Sequence, residues 1–271
     1  MRHVTVRGER VPALGLGTGQ LADDVCYRAV RHALDLGYRH VDTARAYGNE
    51  HAVGKALRDS GIDRDEIFLT TKVWRDDLTR DRVRASVAAS LGDLGVDRVD
   101  LVLVHWPSDD VPLVETMTAL RELRDEGRTR HVGLSNFTPS QVREAARHAE
   151  VFCNQVEYHP LLAQDELLGQ ARRLGHLLTA YSPIAQGEVA REPVVRRIAE
   201  RHGRTPAQIA LRWLVEQPGV AAIPRSHRPK HIEANLRIFD FSLAEEEKQE
   251  LHRVARKRAV RLSDPEYAPR W

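Results

Sequence analysis

Short apolar runs alternate along the chain with longer amphipathic stretches, and that alternation predicts the elements. Runs near 38–42, 67–72, 99–105, 130–134, 152–157, 177–182 and 220–224 read as strands, and Pro12-Ala13-Leu14-Gly15-Leu16-Gly17-Thr18 supplies one more. The gaps read as helices. Residues 79–94 place Val83, Val87, Leu91 and Leu94 on one face, at spacings of four and three. Thr138-Pro139-Ser140-Gln141 and Thr205-Pro206-Ala207-Gln208 each offer a capping Thr, a Pro at the first helical position and a Gln at the third. Ser242-Leu243-Ala244-Glu245 reads as another capping box. Val4-Thr5-Val6, Arg7-Gly8-Glu9-Arg10 and Val11 predict a small hairpin ahead of the main fold. Alternating strands and helices make a parallel sheet, closed as a barrel or open and doubly wound. Eight strands in 271 residues favour an α/β fold of the (β/α)8 TIM barrel type, one domain over 1–271 with a short N-terminal β-hairpin. No linker, low-complexity tract or repeat interrupts it.

Polar residues interrupt the apolar runs at telling places. Asp42, Lys72 and His105 end the runs at 38–42, 67–72 and 99–105, and Tyr47 follows just after the first. In a barrel, strand C-terminal ends carry the chemistry. Asn136, Gln155 and Tyr181 fall at further strand ends. A buried Lys, Asp and Tyr are unfavourable unless they pair. Such a group suggests a tyrosine proton donor tuned by a lysine and a carboxylate. A free Tyr has a pKa near 10, and a neighbouring ammonium is expected to lower it toward neutrality. Against this stands the plainer reading of Tyr47 as a surface phenol in a polar loop. His105 would donate a hydrogen bond to a developing alkoxide beside Tyr47. Ser135, Asn136 and Gln155, with the flat ring of Tyr181, would hold a carboxamide-bearing heterocycle. Ile223-Pro224-Arg225-Ser226 is a cationic loop, either a solvated charge run or a phosphate clamp with Arg225 as donor.

Composition narrows the field. The balance of 41 basic against 39 acidic residues leaves a net charge of +2, which gives no footprint for nucleic acid or a membrane surface. Two cysteines, Cys26 and Cys153, exclude a disulfide framework, and they read as small apolar packing groups. His105 has no second His or Cys at ligand spacing, so no metal site is expected. Only Lys55, Lys72, Lys230, Lys248 and Lys257 are lysines in an arginine-dominated chain, yet position 72 keeps a compact ammonium. The absence of an apolar leader or spanning segment points to a cytoplasmic protein, and the absence of an exposed apolar stripe to a monomer. Gly15-Leu16-Gly17-Thr18-Gly19 invites comparison with a dinucleotide fingerprint, but its spacing is GxGxG rather than GxGxxG.

Eight segments taken in order resemble the aldo-keto reductase family over essentially the whole chain. They are Leu14–Thr18, Asp42-Thr43-Ala44 with Tyr47-Gly48-Asn49-Glu50, Thr71–Trp74, His105-Trp106-Pro107, Gly133–Phe137, Asn154–Pro160, Tyr181-Ser182-Pro183 and Ile223–Ser226. The short loop after Gly187 and the ending Tyr267–Trp271 look most like the bacterial 2,5-diketo-D-gluconate reductase branch. The resemblance implies a barrel that binds NADPH without a Rossmann domain and reduces a small-molecule carbonyl by hydride transfer. It implies Tyr47 as proton donor, Lys72 and Asp42 as its tuning pair, and His105 as the group orienting the carbonyl. It also implies Ser135, Asn136 and Gln155 on the carboxamide, Tyr181 stacked on the nicotinamide, and Thr18, Ser182, Ile184 and Ile223 along the cofactor. Arg225 and Ser226 would take the 2′-phosphate, and His231 and Asn235 the adenine side. Gly19, Trp74 and Trp106 would border the substrate. The family usually has Lys at 225, Arg at 231, Glu at 234 and Trp or Phe at 19, where this chain has Arg225, His231, Ala234 and Gly19. The change at 231 removes a fixed charge, so NADH becomes a possible second cofactor; the change at 19 widens the pocket. Two other readings compete: a cofactor-binding regulatory protein on the same barrel, and an isomerase or aldolase using Lys72 as a Schiff-base nucleophile.

Overall fold

The structure is a computed structural model, and it describes residues 2–271. The chain opens with a hairpin of β1 (His3–Val6) and β2 (Glu9–Pro12), paired antiparallel with Val6 opposite Glu9. Its turn is only Arg7-Gly8, both at positive φ, shorter than the four-residue turn expected. Eight parallel strands follow among the described residues: β3 (Leu16–Gly17), β4 (His40–Asp42), β5 (Phe68–Val73), β6 (Val99–Val104), β7 (Thr129–Ser135), β8 (Cys153–Glu157), β9 (Leu177–Tyr181) and β10 (Val220–Ala222). Each pairs with its sequence neighbour. The sheet closes because Gly15 and Gly17 donate to the carbonyls of Ala222 and Pro224, while Ala222 donates back to Ala13. The fold is therefore the expected (β/α)8 barrel.

The glycines of the first strand serve that closure. A Cβ on Gly17 would stand 2.9 Å from the Ile223 carbonyl oxygen, and one on Gly15 would stand 2.7 Å from the His40 ring. The GxGxG run thus lets two strands approach, which removes the dinucleotide-fingerprint reading.

Helices α1 (Asp23–Asp35), α2 (Glu50–Ser60), α3 (Arg80–Leu94), α4 (Leu113–Asp125), α5 (Pro139–Ala145), α6 (Asp165–Leu174), α7 (Pro193–His202), α8 (Pro206–Val215), α9 (Pro229–Leu236) and α10 (Glu245–Arg258) follow the strands. Thr138 and Thr205 form the expected capping boxes of α5 and α8. The third expected box is shifted. Helix α10 begins at Glu245, and it is Ala244, not Ser242, whose N–H reaches a carboxylate, that of Glu247, at 3.0 Å. The run of three glutamates in the first turn favours that start, since each interacts with the helix N-terminus.

Two apolar regions result. Val83, Val87, Leu91 and Leu94 of α3 face the sheet, as the spacing predicts, within the large shell between helices and barrel. The barrel's own floor is Phe68, Leu101, Leu103, Phe152, Cys153, Leu177 and Ala221, covered by Val6 and Val11 of the hairpin. Both cysteines are buried and free, and burial pushes each thiol up to about 12. Plugging the floor leaves the C-terminal ends of the strands as the open face.

Helix packing supplies a test. A Cβ on Gly54 of α2 would lie 2.3 Å from the Leu94 carbonyl oxygen at the end of α3. Gly54→Ala should therefore destabilise the protein by about 1–3 kcal/mol through overpacking, read as a lower denaturation midpoint with an unchanged slope.

Candidate active site

Three neighbouring strand ends and the turn after the first of them bring the polar residues together. Asp42 is the last residue of β4 and Lys72 the penultimate residue of β5; His105 follows β6 directly. Tyr47 ends a single 3₁₀ turn, Arg45–Tyr47, closed by Gly48 at φ 67°. Lys72 Nζ donates to Asp42 Oδ1 at 2.5 Å and to the Thr43 carbonyl at 2.9 Å, and lies 3.5 Å from the Tyr47 hydroxyl. The other Asp42 oxygen accepts from Gln155 Nε2 at 2.7 Å. Lys72 and Asp42 are both buried, with side chains 0% and 2% exposed. The ring of His105 meets the edge of Tyr47 at 5.6 Å and of Trp74 at 5.1 Å.

The electrostatics follow from this packing. Burial opposes the Lys72 charge, but Asp42 and Tyr47 outweigh it and hold the ammonium above its ordinary pKa. Burial and the Lys72 charge together push the His105 imidazole well below 6.5, so its ring is neutral. Tyr47 departs from expectation. Burial raises its phenol more than the Lys72 charge lowers it, and Asp42 adds to the rise, so its pKa lies above 10 rather than below. The ammonium cannot act as a bare cation on the phenol because Asp42 already neutralises it.

These residues open into a cavity of about 660 Å³. Asp42, Tyr47, His105 and Trp106 line it. So do Ser135, Asn136, Gln155 and Tyr181, together with Ser182, Ile184, Ile223 and Arg225. Gly19 also lines the cavity, where an added Cβ would touch the Tyr47 ring at 3.4 Å. Asn136 sits at φ 65° and joins His105 to Tyr181. Its Nδ2 donates to the His105 carbonyl at 3.0 Å, and its Oδ1 accepts from the Tyr181 hydroxyl at 2.8 Å. Ser182, Ala185 and Gln186 also have positive φ, so the wall beside Tyr181 is built from left-handed backbone that non-glycine residues rarely adopt.

Not every expected residue reaches the cavity. Thr18 is fully buried, and its hydroxyl donates to the Asp42 carbonyl at 3.1 Å, so it supports the strand rather than facing the space. Trp74 touches the site through His105. Ser226 accepts the Arg228 N–H at 3.1 Å, and His231 and Asn235 lie on α9, away from the cavity lining. Conversely, Leu262 and Ser263 of the C-terminal segment line the cavity. Tyr267 packs edge-on to Trp74 at 5.9 Å and Trp106 at 5.4 Å. Nothing in the residue types of that segment marked it as part of the site.

Comparison with known proteins agrees with this geometry. The chain is 41% identical over 267 residues to methylglyoxal reductase DkgB of Escherichia coli O157:H7, covering 96% of this chain and 99% of that one. A solved structure provisionally described as 2,5-diketo-D-gluconic acid reductase B superposes with a TM-score of 0.97 at 45% identity, covering 100% of this chain and 97% of the other. The aldose reductase of Schistosoma japonicum superposes at 0.92 with 31% identity, over 99% and 98% of the two chains. The model of the aldo/keto reductase family matches residues 13–256, from the closing strand to the last helix. A barrel with its polar cluster at the strand ends, matched over nearly its whole length, places this chain in the aldo/keto reductase family.

Proposed function

We propose that this protein reduces aldehydes and ketones to alcohols with NADPH, using Tyr47 as the proton donor. The observation that carries the reading is the Tyr47 hydroxyl 3.5 Å from a buried ammonium and beside a neutral histidine, at the edge of a cavity about 660 Å³ in size. The cavity residues suit a nicotinamide nucleotide: the hydroxyl and amide groups of Ser135, Asn136 and Gln155, the Tyr181 ring, and the exposed Arg225. When bound, the cofactor supplies a hydride to the carbonyl carbon.

The chain's own residues supply the rest. Tyr47 gives its hydroxyl proton to the carbonyl oxygen as negative charge gathers there. Lys72 remains charged and stabilises the phenolate left behind. His105 Nδ1 is buried with no hydrogen-bond partner. A proton on Nε2 leaves only a lone pair unsatisfied there, so Nε2–H is the group that orients the carbonyl oxygen. Gln155 and Thr43 hold Asp42 and Lys72 in register through the bonds described above. The same saturation argues against Lys72 as a Schiff-base nucleophile, since its ammonium is buried, paired and held protonated. The intact group of four argues against a retired, purely regulatory barrel.

Cofactor choice rests on Arg225 and Ser226 against the exposed His231 and the small Ala234. Arg225 and Ser226 favour NADPH, and the absence of one expected positive charge at 231 narrows that preference, so NADH is used as well, more weakly. The shared ancestry with methylglyoxal reductases suggests 2-oxoaldehydes among the substrates. The small Gly19 suits bulkier or more polar carbonyls as well. Residues 2–271 contain no helix long and apolar enough to cross a membrane. A cytoplasmic monomer of one domain is the setting proposed for the reaction.

Tyr47→Phe should lose about 10²–10⁴-fold in kcat, measured by reduced-nicotinamide absorbance. Retained activity would remove Tyr47 from the reaction. In the wild type the reduction rate should stay level between a limb well below pH 6.5, where His105 gains a proton, and a limb above pH 10, where Tyr47 loses one. Arg225→Ala should raise KM for NADPH about tenfold or more while leaving KM for NADH nearly unchanged; equal changes would take the 2′-phosphate away from Arg225. Gly19→Trp should depress kcat/KM for large carbonyls relative to small ones, and an unchanged ratio across an aldehyde panel would refute the wide-pocket account.

A further inference from the structure

Glu157 is a carboxylate that the reaction does not use. It closes β8 two residues beyond Gln155, so both side chains stand on the same face of the strand, Glu157 one step nearer the mouth. It is fully buried. Its Oε1 accepts from the Leu262 N–H at 2.8 Å and from the ring nitrogen Nε2 of His159 at 2.9 Å, while Oε2 accepts from the Ser263 N–H at 2.8 Å. His159 is equally buried, with its side chain 0% exposed. Burial alone would raise the Glu157 carboxyl, but the His159 ring and the two amides outweigh it and hold it below its ordinary range.

The amides it holds belong to the segment that borders the cavity. Leu262 and Ser263 line it, and four residues on, Tyr267 inserts between Trp74 and Trp106. Upstream, the Val260 N–H donates to the Leu161 carbonyl at 2.8 Å, in the loop that β8 leads into. The segment has no regular secondary structure after α10. Its place over the site therefore depends on a few attachments, of which the two charge-assisted bonds to Glu157 are the strongest.

We propose that Glu157 is a positioning residue for carbonyl reduction: its carboxylate latches the C-terminal segment over the cavity and thereby shapes the carbonyl end of the pocket. Glu157 touches neither the reacting atoms nor Arg225, so it acts through the segment that it holds, and the contacts of Tyr267 with Trp74 and Trp106 direct that action to substrate binding. A glutamine in its place keeps the volume but turns one acceptor into a donor that faces an amide N–H, which breaks one of the two bonds.

The test is Glu157→Gln in the full chain, with four readouts: kcat, KM for a carbonyl panel, Kd for NADPH, and hydrogen exchange at individual amides. The expected result is a rise in carbonyl KM on the order of tenfold, with kcat and NADPH affinity changed less than about twofold, and faster exchange at Leu262 and Ser263. A fall in kcat or NADPH affinity with KM unchanged would overturn the latch and make Glu157 a support of the Gln155–Asp42 side of the site. Two further measurements stand if the variant does not fold. In the wild type, the Leu262 and Ser263 amides should exchange far more slowly than those of Asp264 and Glu266, and equal rates would overturn the proposal. Tyr267→Ala, at a partly exposed position, should raise carbonyl KM in the same direction, and an unchanged KM would overturn it as well.

Discussion

An ammonium buried at the mouth of the barrel governs the rest of the site. Lys72 has essentially no exposed side-chain surface, and a lone charge there would be strongly unfavourable. Three oxygens remove the penalty, those of Asp42, Thr43 and Tyr47, and all three come from the end of β4 and the turn after it. The arrangement requires β4 and β5 to be neighbours in register and requires the chain to turn sharply after Asp42. Losing one partner of such a pair typically destabilises by about 3–5 kcal/mol, because the other charge is left buried alone. The pair is thus a constraint on the fold before it is a tool for chemistry. It also explains why Asp42 is held from its far side by Gln155, on a strand across the barrel.

The same constraint accounts for the one electrostatic expectation that failed. From sequence, a lysine beside a tyrosine suggests a depressed phenol. In the folded chain the lysine is half of an ion pair, and the low-polarity surroundings act on the phenol more strongly than the residual charge does. A phenol held in this way keeps its proton through the whole neutral range, which suits the proton-donor role proposed for Tyr47.

Much of the architecture was legible because it depends on periodicity. The apolar runs marked all the barrel strands, the spacing of Val83, Val87, Leu91 and Leu94 marked a helix face, and two Thr-Pro caps fell where they were read. Asp42, Lys72 and His105 were legible because each ends an apolar run, and Tyr47 because it follows one closely. What escaped had no local signature. The first barrel strand is only Leu16–Gly17, shorter than the run that marked it, and the barrel closes there through the isolated bridges Leu14 to Ala222 and Gly17 to Arg225. The start of α10 slipped two residues because Ser242 and the glutamates offered competing caps. The C-terminal segment was silent because its place depends on a carboxylate more than a hundred residues earlier, a relation that no window along the chain contains.

Glu157 holds that segment by its main chain. The two groups bound to Glu157 are amide N–H groups, which every residue except proline carries. The side chain at 262 can therefore change without loosening the bonds to Glu157. Anchor and lining are separate parts of one short stretch: the amides meet Glu157 while the stretch also borders the cavity. Under the proposed latch, drift in a few codons of this stretch would vary what the pocket admits without undoing its attachment.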